Sequence, residues 1–398
     1  MYQFLKGLTV VEGAAFVAGP SCGLYLAQMG ATVIRFDQIG GGPDAGRWPL
    51  APNGASLYWE GLNKGKKSIA LDLSRPEGRA LAQRIATAGD GVFVTNFPAR
   101  GFLSYEKLAV LRPDLICLRI MGWPDGTAAV DYTINAAVGL PYLTGPANDP
   151  RPVNHVLPAW DLLAGAYGAF ALLAAERDRR SSACGREIRL ALSDLAAVTL
   201  GHLGSLAETL VHGDRPRAGN ELFGAFGCDF KTAGGELLMI VAITARQWSG
   251  LVQALQIGGA VAALEARLGV SFEADEGVRF IYRGQLIPII AAAIASRELS
   301  DLAPAFEANG VCWSRYRSLG EAIREEPRLF TENPLFEPVA HPGGTYPTPG
   351  TAARVPGVER LPAAPAPVIG QHSDELLTQL LGLDSNEIGS LHDQGLIA

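Results

Sequence analysis

Residues 8–37 read LTVVEGAAFVAGPSCGLYLAQMGATVIRFD, and this stretch decides the fold class. Its apolar run at Leu8–Glu12 predicts a strand that ends at a glycine. A helix-like segment, Ser21–Met29, also stops at a glycine, and Ala31–Phe36 predicts a second strand. A strand, a helix and another strand in close succession are typical of a parallel α/β sheet.

The alternation of strands and helices continues to residue 211. Each predicted strand is an almost continuous apolar run, which is expected when helices cover both faces of a sheet. We therefore expect one large α/β domain over residues 1–211. Its further strands are predicted at Ser68–Leu73, Gly91–Thr95, Leu115–Ile120 and Glu187–Leu192, and its further helices at Pro76–Ala88, Ser104–Leu111, Asp161–Glu176 and Asp194–Val211.

After residue 211 the pattern changes. The polar link His212–Asn220 leads into a smaller α+β domain, which we expect over residues 221–330. From His341 to Pro367 the chain is rich in proline, which predicts an extended linker. An amphipathic helix is predicted over Ser373–Leu391. We expect residues 340–398 to return to the large domain.

The composition argues against several classes of protein. The chain has 398 residues, a hydrophobic fraction of 48% and a formal net charge of −7, with dispersed basic residues. Without a basic face, no nucleic-acid partner is expected. The longest apolar stretch, residues 159–175, contains Asp161 and is short for a bilayer, so no membrane partner is expected. Five cysteines without a CxxC pair predict reduced thiols in a cytoplasmic protein and no metal site.

Asp161 is the first candidate for catalysis. It stands near the start of an almost wholly apolar helix, where the helix dipole stabilises a carboxylate. Aspartate is also a common helix-capping residue, so a purely structural role stays open. Gly165 and Gly168, one and two turns further on, leave room for a ligand. A partly buried carboxylate in such a place can act as a nucleophile.

Two further segments are candidates for binding an anion. Residues 13–20, GAAFVAGP, form a small-residue turn into a helix, which can present backbone N–H groups. The turn does not match GxGxxG, so a nicotinamide site has little support. Cations follow at Arg35, Arg47 and the NKGKK run of residues 63–67. Both segments have structural alternatives: a turn kept small for packing, and a solvent-exposed basic loop.

Five segments, in this order, resemble the class III CoA-transferases, the family of formyl-CoA transferase and carnitine CoA-transferase. The match runs through nearly the whole chain and puts Asp161 at the catalytic aspartate of the family. The segments are LKGLTVVEGAAFVAGPSCGLYLAQMGATVIRFD (5–37), LNKGKKSIALDLSRPEGR (62–79), VTNFPARGFLSYEKL with RPDLICLRIMGWPDG (94–108 and 112–126), AWDLLAGAYGAFALLAAE (159–176) and VIGQHSDELLTQLLGLDSNEIGSLHDQG (368–395).

The resemblance implies a Rossmann-like large domain built from both ends of the chain, with the small domain in the middle. It implies that two chains interlock as a homodimer. Coenzyme A would lie across the large domain as part of the acyl-CoA substrate, with no tightly bound cofactor and no metal. The residues that the resemblance puts at CoA are Val17, Arg35, Leu71, Asp72, Asn96, Phe97, Arg100 and Gly122.

Motifs outside these signatures resemble the branch that moves CoA between the C1 and C4 carboxyl groups of mesaconyl-CoA, in the 3-hydroxypropionate cycle. They include FDQIGGG (36–42), VDYTINAAVGLP (130–141), VNHVLPAWD (153–161) and DRPRAGN (214–220). Other branches fit less well. Val17 stands where formyl-CoA transferases carry glutamine, and no GGGG run follows residue 220. Val130 stands where 2-methylacyl-CoA racemases carry a histidine, and a racemase needs a base on each face of its substrate.

We therefore expect an enzyme that transfers CoA within one dicarboxylate, through a mixed anhydride and a CoA thioester of Asp161. Arg47 and His155 are the hypothetical residues for the idle carboxylate of the acid. Transfer between two different acids, for example from succinyl-CoA to a branched dicarboxylate, is the first alternative. A racemase, a nicotinamide dehydrogenase and a non-catalytic CoA-binding protein are the others.

Overall fold

The computed structural model describes all 398 residues, and the chain divides into two compact units. Unit 1 consists of Met1–Val138, His155–Val211 and Pro327–Ala398. Unit 2 consists of Gly139–Asn154 and His212–Glu326. The sequence pattern predicts an unbroken first domain up to residue 211, whereas the structure assigns residues 139–154 to unit 2.

The reason for this difference is one arginine of the polar link. Arg217 donates hydrogen bonds from its guanidinium to the carbonyl oxygens of Pro141, Tyr142 and Asp149. These bonds tie residues 139–154 to the link within unit 2. A contact between residues so far apart in the chain leaves no periodic signal, so the pattern alone does not show it.

Six parallel strands form the central sheet of unit 1, in the order β3-β2-β1-β4-β5-β6. The predicted α/β class with a parallel sheet is therefore confirmed. The strand order changes direction between β1 and β4, and ligands of open α/β sheets bind beyond the carboxyl ends of the strands at such a point. The strands are β1 (Thr9–Gly13), β2 (Thr32–Gln38), β3 (Lys67–Leu71), β4 (Val92–Thr95), β5 (Ile116–Met121) and β6 (Arg186–Ala191).

The other strands form two small antiparallel sheets. Unit 2 has a three-stranded sheet of β7 (Phe226–Lys231), β8 (Leu237–Ala242) and β9 (Cys312–Arg315). In unit 1, β10 (Phe336–His341) and β11 (Gly344–Pro349) form a hairpin. The predicted extended linker therefore starts later, after Pro349. The prolines of the hairpin are compatible with it because a two-stranded sheet consists of edge strands only.

The helices surround these sheets, and none combines the length and apolar character that crossing a bilayer requires. The helices are α1 (Ala18–Gln28), α2 (Leu57–Asn63), α3 (Pro76–Ala86), α4 (Tyr105–Leu111), α5 (Asp131–Ala137), α6 (Leu140–Leu143), α7 (Ala159–Ser182), α8 (Leu192–His202), α9 (Ser205–His212), α10 (Ala245–Leu255), α11 (Gly258–Leu268), α12 (Glu276–Ile281), α13 (Arg283–Ala295), α14 (Leu299–Ala308), α15 (Leu319–Glu325), α16 (Ser373–Leu381) and α17 (Ser385–Asp393).

The C-terminal segment covers the outer edge of the central sheet. Ile397 forms an antiparallel bridge to Leu71 at the end of β3, and the Asp72 amide donates to the Leu396 carbonyl at 2.9 Å. The predicted single tail helix is two helices, α16 and α17, because Gly382 ends the first one in the left-handed conformation.

Helices α1 and α7 pack closely, and glycine makes this contact possible. A Cβ atom at Gly165 of α7 would overlap the Ser21 hydroxyl and lie 3.1 Å from the Ala18 carbonyl oxygen. The absence of that atom lets the first turn of α1 lie directly beside the second turn of α7. This contact positions the two helix N-termini next to each other.

We predict that Gly165→Ala lowers the free energy of unfolding by about 1–3 kcal/mol, because the added methyl group overpacks the helix contact. Gly389 in α17 is the control, since a Cβ atom added there would meet no other atom within 4 Å. Gly389→Ala should therefore leave stability unchanged or raise it by up to about 1 kcal/mol, through helix propensity. Urea unfolding of both variants and the parent checks this. Equal stability of the two variants would contradict the close α1–α7 contact.

Candidate active site

The loop after β1 lies at the point where the strand order changes direction, and side chains hold it in place. The Asn96 amide donates to the Ala15 carbonyl at 2.9 Å and its oxygen accepts from the Ala15 N–H at 3.1 Å. The Phe16 N–H donates to Asp44 Oδ2 at 3.0 Å. The main chain of two successive loop residues is therefore fixed by side chains from other segments of unit 1.

Phe16 has a backbone φ of +69°, the left-handed region that bulky residues rarely adopt. Immediately after it, α1 begins without a side-chain cap on its N-cap residue Val17 and without an acidic residue in its first turn. Uncapped N–H groups at a helix start attract anions. The loop predicted to bind an anion thus has the required backbone, and strained residues of this kind are common at functional sites.

Asp131 supplies the cap of α7 from another helix. Its Oδ2 accepts from the Trp160 N–H at 2.7 Å and from the Asp161 N–H at 3.1 Å. One turn further along α5, the Asn135 amide oxygen accepts from the Trp160 indole at 3.2 Å. Two residues spaced by four on one face of α5 therefore hold the start of α7.

This arrangement removes the structural explanation for Asp161. The sequence leaves open that Asp161 caps its own helix, but Asp131 accepts the N–H groups at that end. The Asp161 carboxylate makes no hydrogen bond and no ion pair within the chain, although its residue is half-buried. A half-buried carboxylate without a partner is a candidate for direct reaction with a ligand.

The surroundings also change the acidity of Asp161. Burial, together with the negative charge of Asp131, raises the pKa of its carboxyl to about 7, although the positive charge of Arg47 acts in the opposite direction. The carboxylate is thus poorly solvated at neutral pH. Poor solvation makes an anion more reactive toward an electrophile, provided that the anion is formed.

His155 lies beside this pair of carboxylates. Its Nε2 is 2.6 Å from Asp131 Oδ1, and its ring packs edge-on against Tyr132 with the centroids 5.7 Å apart. Arg47, the other hypothetical substrate residue, has its guanidinium carbon 5.6 Å from the Phe16 ring centroid. The structure thus brings Asp161, His155, Arg47 and the Phe16–Val17 loop together within unit 1.

Tyr58 and the capping role of Asp131 are not among the predictions made from the sequence. The ring of Tyr58 lies 5.2 Å from the Arg47 guanidinium, and its buried hydroxyl has no hydrogen-bond partner. The spacing of Asp131 and Asn135 on one helix is a usable signal for the cap. No local pattern marks Tyr58, because an unpaired buried hydroxyl leaves no signal in the sequence.

Arg35, a predicted CoA contact, lies inside unit 1. Its side chain is only 1% exposed, and its guanidinium donates to Asp37, Asp44 and Asn63. The guanidinium carbon also lies 4.4 Å from the centroid of the Trp59 ring. Its donors are therefore used inside unit 1, and the arginine serves the packing of the loop that follows β2.

Leu71, another predicted CoA contact, is completely buried, and its carbonyl accepts from the N–H groups of Ile39 and Leu73. Asp72, at the end of the same strand, accepts from the Ser74 N–H at 3.0 Å. The Gly122 carbonyl accepts from the Ser193 N–H at 3.1 Å, and a Cβ atom there would lie 2.5 Å from the Ala129 nitrogen.

Phe97 and Arg100 follow β4. The Phe97 ring packs edge-on against Phe102, and its carbonyl accepts from Arg119 at 2.7 Å. Arg100 is exposed and lines a cleft of about 470 Å³ together with Lys107 and Arg189. Arg189 is paired with Glu187, and the lining also includes Glu106 and Asp125. Arg100 and Lys107 have no ion-pair partner, and such cations suit a phosphate-bearing ligand. No group of three histidine, cysteine or carboxylate side chains suited to a metal ion is present.

We predict that Asp161→Asn is more stable than the parent at about pH 8, by up to about 4 kcal/mol. Between about pH 4 and pH 7 the Asp161 carboxyl is ionised in the unfolded chain but still protonated in the folded protein. The folded state therefore loses stability as the pH rises through this range. The difference should approach zero near pH 3, because the carboxyl is then largely protonated in both the folded and the unfolded state. Urea unfolding at the two pH values measures it.

Asp178, on the same helix, is the matched control. Hydrogen bonding to Arg186 lowers the pKa of its carboxyl, which is the opposite direction. Asp178→Asn should therefore lose a little stability at pH 8. A loss of the same sign for Asp161→Asn would contradict the raised pKa.

Comparison with known proteins agrees with the geometry. The chain matches the family model for CoA-transferase family III over residues 5–373. It is 48% identical to 2-methylfumaryl-CoA isomerase of Chloroflexus aurantiacus, over all of this chain and 98% of that protein. It is 30% identical to succinate–glutarate CoA-transferase of Agrobacterium fabrum, over 94% of this chain and 95% of that protein.

Solved structures support the fold. A CAIB/BAIF family protein from Brucella suis superposes with a TM-score of 0.77 at 23% identity, covering 95% of this chain and 100% of that one. The protein Rv3272 from Mycobacterium tuberculosis superposes with a TM-score of 0.75 at 23% identity, covering 94% and 98%. The family resemblance read from five segments is thereby confirmed, and the chain belongs to CoA-transferase family III.

Proposed function

We propose that this enzyme converts 2-methylfumaryl-CoA into 3-methylfumaryl-CoA by moving CoA between the two carboxyl groups of one acid, with Asp161 as the nucleophile. The observation that carries the proposal is the Asp161 carboxylate, which is half-buried, has no partner and stands one helical turn before Gly165, where α7 contacts the first turn of α1. The full-length relative at 48% identity, a 2-methylfumaryl-CoA isomerase, supports the choice of substrate.

The proposed chemistry has four steps that balance without a proton. Asp161 Oδ attacks the C1 thioester carbonyl, the C–S bond breaks, and a mixed anhydride and CoA thiolate result. The thiolate attacks the Asp161 carbonyl carbon, which forms an aspartyl–CoA thioester and releases the C1 carboxylate. The C4 carboxylate then attacks this thioester and expels the thiolate. Finally, the thiolate attacks the C4 acyl carbon and restores the Asp161 carboxylate.

Each step forms a tetrahedral intermediate with a negative oxygen. The N–H groups at the start of α1, next to Val17, are the proposed donors to that oxygen, and the main chain at Gly122 is a second candidate. Their value depends on a fixed position before the reaction starts. The hydrogen bonds from the loop to Asn96 and Asp44 supply this rigidity.

For CoA we propose the cleft that Arg100, Lys107 and Arg189 line, with Asp72, Asn96 and Phe97 beside the strand ends. Its cations match the phosphates of CoA. Arg35 and Leu71 remain proposed CoA contacts, although the side chains of both are buried. The Asn96 side chain already holds Ala15, so a contact of this residue with CoA would have to use its main chain.

The idle carboxylate needs a cation that has no other partner. Arg47 meets this condition, because its guanidinium makes no hydrogen bond or ion pair within the chain and lies against aromatic rings. His155 is engaged with Asp131 through Nε2. We therefore assign the carboxylate to Arg47 and propose that His155 positions Asp131.

Transfer between two acids is the alternative, and it has support from the relatives. Succinate–glutarate CoA-transferase of Agrobacterium fabrum is 30% identical to this chain. The covalent steps would be the same, but the first acid would leave and another would enter. The two functions therefore differ only in whether the acid stays bound while Asp161 carries CoA.

We also propose the interlocked homodimer. α9 buries none of its residues within the chain. Together with α8 it exposes a row of large apolar side chains, at 52–78% of their surface: Val198, Leu203, Leu206, Leu210 and Val211. A short helix without tertiary packing is unstable in water, and an exposed apolar patch of this kind is typical of a subunit interface. A second copy of the chain is the proposed cover.

We predict that the parent enzyme isomerises 2-methylfumaryl-CoA in the presence of isotope-labelled free mesaconate without incorporating the label into either CoA ester. The label is excluded because the acid stays bound between the two half-reactions. Mass spectrometry of the CoA esters measures it. Label in the product at the rate of isomerisation would favour transfer between two acids instead.

The covalent part has its own test. Hydroxylamine added during turnover should modify Asp161, and Asp161→Ala should lose activity by about 1,000-fold or more, since the nucleophile is absent. Asp178→Ala, at the exposed end of the same helix, should keep full activity. An active Asp161→Ala variant with no modified peptide in the parent would rule out the aspartyl mechanism.

The dimer predicts a change of mass in solution. The parent should scatter light as a dimer, and the double variant Leu206→Glu, Leu210→Glu should be a monomer, because burying two carboxylates at an interface is costly. Val110 on α4 is 81% exposed and lies outside this patch, so Val110→Glu should remain dimeric. A monomeric parent would refute the assignment.

A further inference from the structure

The guanidinium of Arg47 lies against two aromatic rings. Its guanidinium carbon lies 5.6 Å from the centroid of the Phe16 ring and 5.2 Å from that of Tyr58. Both rings attract the cation through their faces without using its N–H groups. The five N–H donors of the guanidinium therefore stay available for a planar anion, and a carboxylate matches their geometry.

Phe16 reaches Arg47 only with an unusual backbone. Its φ of +69° costs about 1–3 kcal/mol for a residue that is not glycine. The bond from its N–H to Asp44, and the two bonds between Ala15 and Asn96, hold the loop in this conformation. Glycine would fit this loop conformation better than a bulky aromatic residue. The presence of Phe16 is therefore explained by its contact with Arg47 and not by the geometry of the loop.

Tyr58 contributes a second donor. Its hydroxyl is buried and has no partner, and leaving such a group unpaired costs about 1–3 kcal/mol. Burial raises the pKa of Tyr58 to about 12, so the hydroxyl is neutral at physiological pH and donates a hydrogen bond. Ser56, the N-cap of α2, donates to the Arg47 carbonyl at 2.5 Å and so ties Arg47 to the helix that carries Tyr58.

Both residues lie within the electrostatic reach of Asp161. The charge of Arg47 lowers the pKa of Asp161, and the charge of Asp161 raises the pKa of Tyr58. A ligand held by Arg47 and Tyr58 is therefore close to the nucleophile. The Arg47 guanidinium and the Tyr58 hydroxyl lack an anionic acceptor, because the Asp161 carboxylate makes no hydrogen bond with either of them.

We propose that Arg47 and the Tyr58 hydroxyl together bind the free carboxylate of the acyl group, and that Phe16 is a positioning residue that holds Arg47 for this task. The inference rests on the proposed function and names the substrate feature that the site recognises: a second carboxylate at the far end of a short acyl chain. After the acid turns, the C1 carboxylate occupies the same place. Retention of the acid on these two donors makes the transfer intramolecular.

The test compares 2-methylfumaryl-CoA with tiglyl-CoA, in which a methyl group replaces the free carboxylate. The rate of covalent capture on Asp161 is measured for each thioester by hydroxylamine trapping. Tyr58→Phe should slow capture from 2-methylfumaryl-CoA by about 10- to 100-fold, the value of a hydrogen bond to a charged group. It should change the rate of capture from tiglyl-CoA by less than about threefold, which is the small effect expected of a substitution that removes no contact with the ligand.

Arg47→Met should lose the same discrimination and also release the acid. Isotope-labelled free mesaconate should then enter the product, which it does not do in the parent. Phe16→Gly accepts the left-handed backbone but lacks the ring. It should therefore lose part of the preference for 2-methylfumaryl-CoA, as Arg47→Met does. Phe16→Tyr, which keeps an aromatic ring, should retain the preference of the parent. Arg84→Met, an exposed arginine on α3, is the matched control and should change neither rate.

The outcomes separate the two proposals. If the parent shows no modification of Asp161 with either thioester, the aspartyl mechanism itself fails. If the parent is modified but Tyr58→Phe and Arg47→Met keep the parent preference for 2-methylfumaryl-CoA and exclude the label, only the carboxylate site is wrong. An equal loss with both thioesters would also contradict it, because a general disturbance of the loop does not depend on the far carboxylate.

Discussion

The candidate site depends on the Asp131 carboxylate, which accepts the N–H groups at the start of α7 from outside that helix. Every helix start needs acceptors, and a residue of its own first turn commonly supplies them. Because a residue of α5 does so here, Asp161 is released from that role. The same nearby charge adds to the effect of burial on the acidity of Asp161. One contact between helices thus produces both a free carboxylate and part of its raised pKa.

The charges in unit 1 fall into two groups. Glu12, Lys66 and Arg35 are almost completely buried, and each one has partners: Lys66 Nζ lies 2.8 Å from Glu12 Oε2, and Arg35 pairs with Asp37 and Asp44. Asp161 and Arg47 have no such partners. Breaking a buried ion pair is costly because it leaves an uncompensated charge, so paired charges belong to the structure. The unpaired charges are those that a ligand can complete.

Much of the fold is predictable because continuous apolar runs, helix stops at glycine and the βαβ order are local signals. Asp161 is predictable from its motif and its neighbours Gly165 and Gly168. The burial of Arg35 and Leu71 was not predictable, because position in a motif does not reveal burial: both follow the sheet register into the interior. Tyr58 cannot be found from sequence, because its importance comes from an unpaired hydroxyl that only three-dimensional contacts reveal. The same reason hides the place of residues 139–154 in unit 2.

The bridge between Leu71 and Ile397 has a consequence for synthesis of the protein. Strand β3 is the edge of the central sheet, and its outer side pairs with a segment more than 300 residues later in the chain. During translation this edge stays open until nearly the whole chain has emerged, and unpaired strand edges are prone to aggregate. Contacts so distant in sequence also slow folding. We therefore expect this edge of the sheet to be completed only at the end of synthesis.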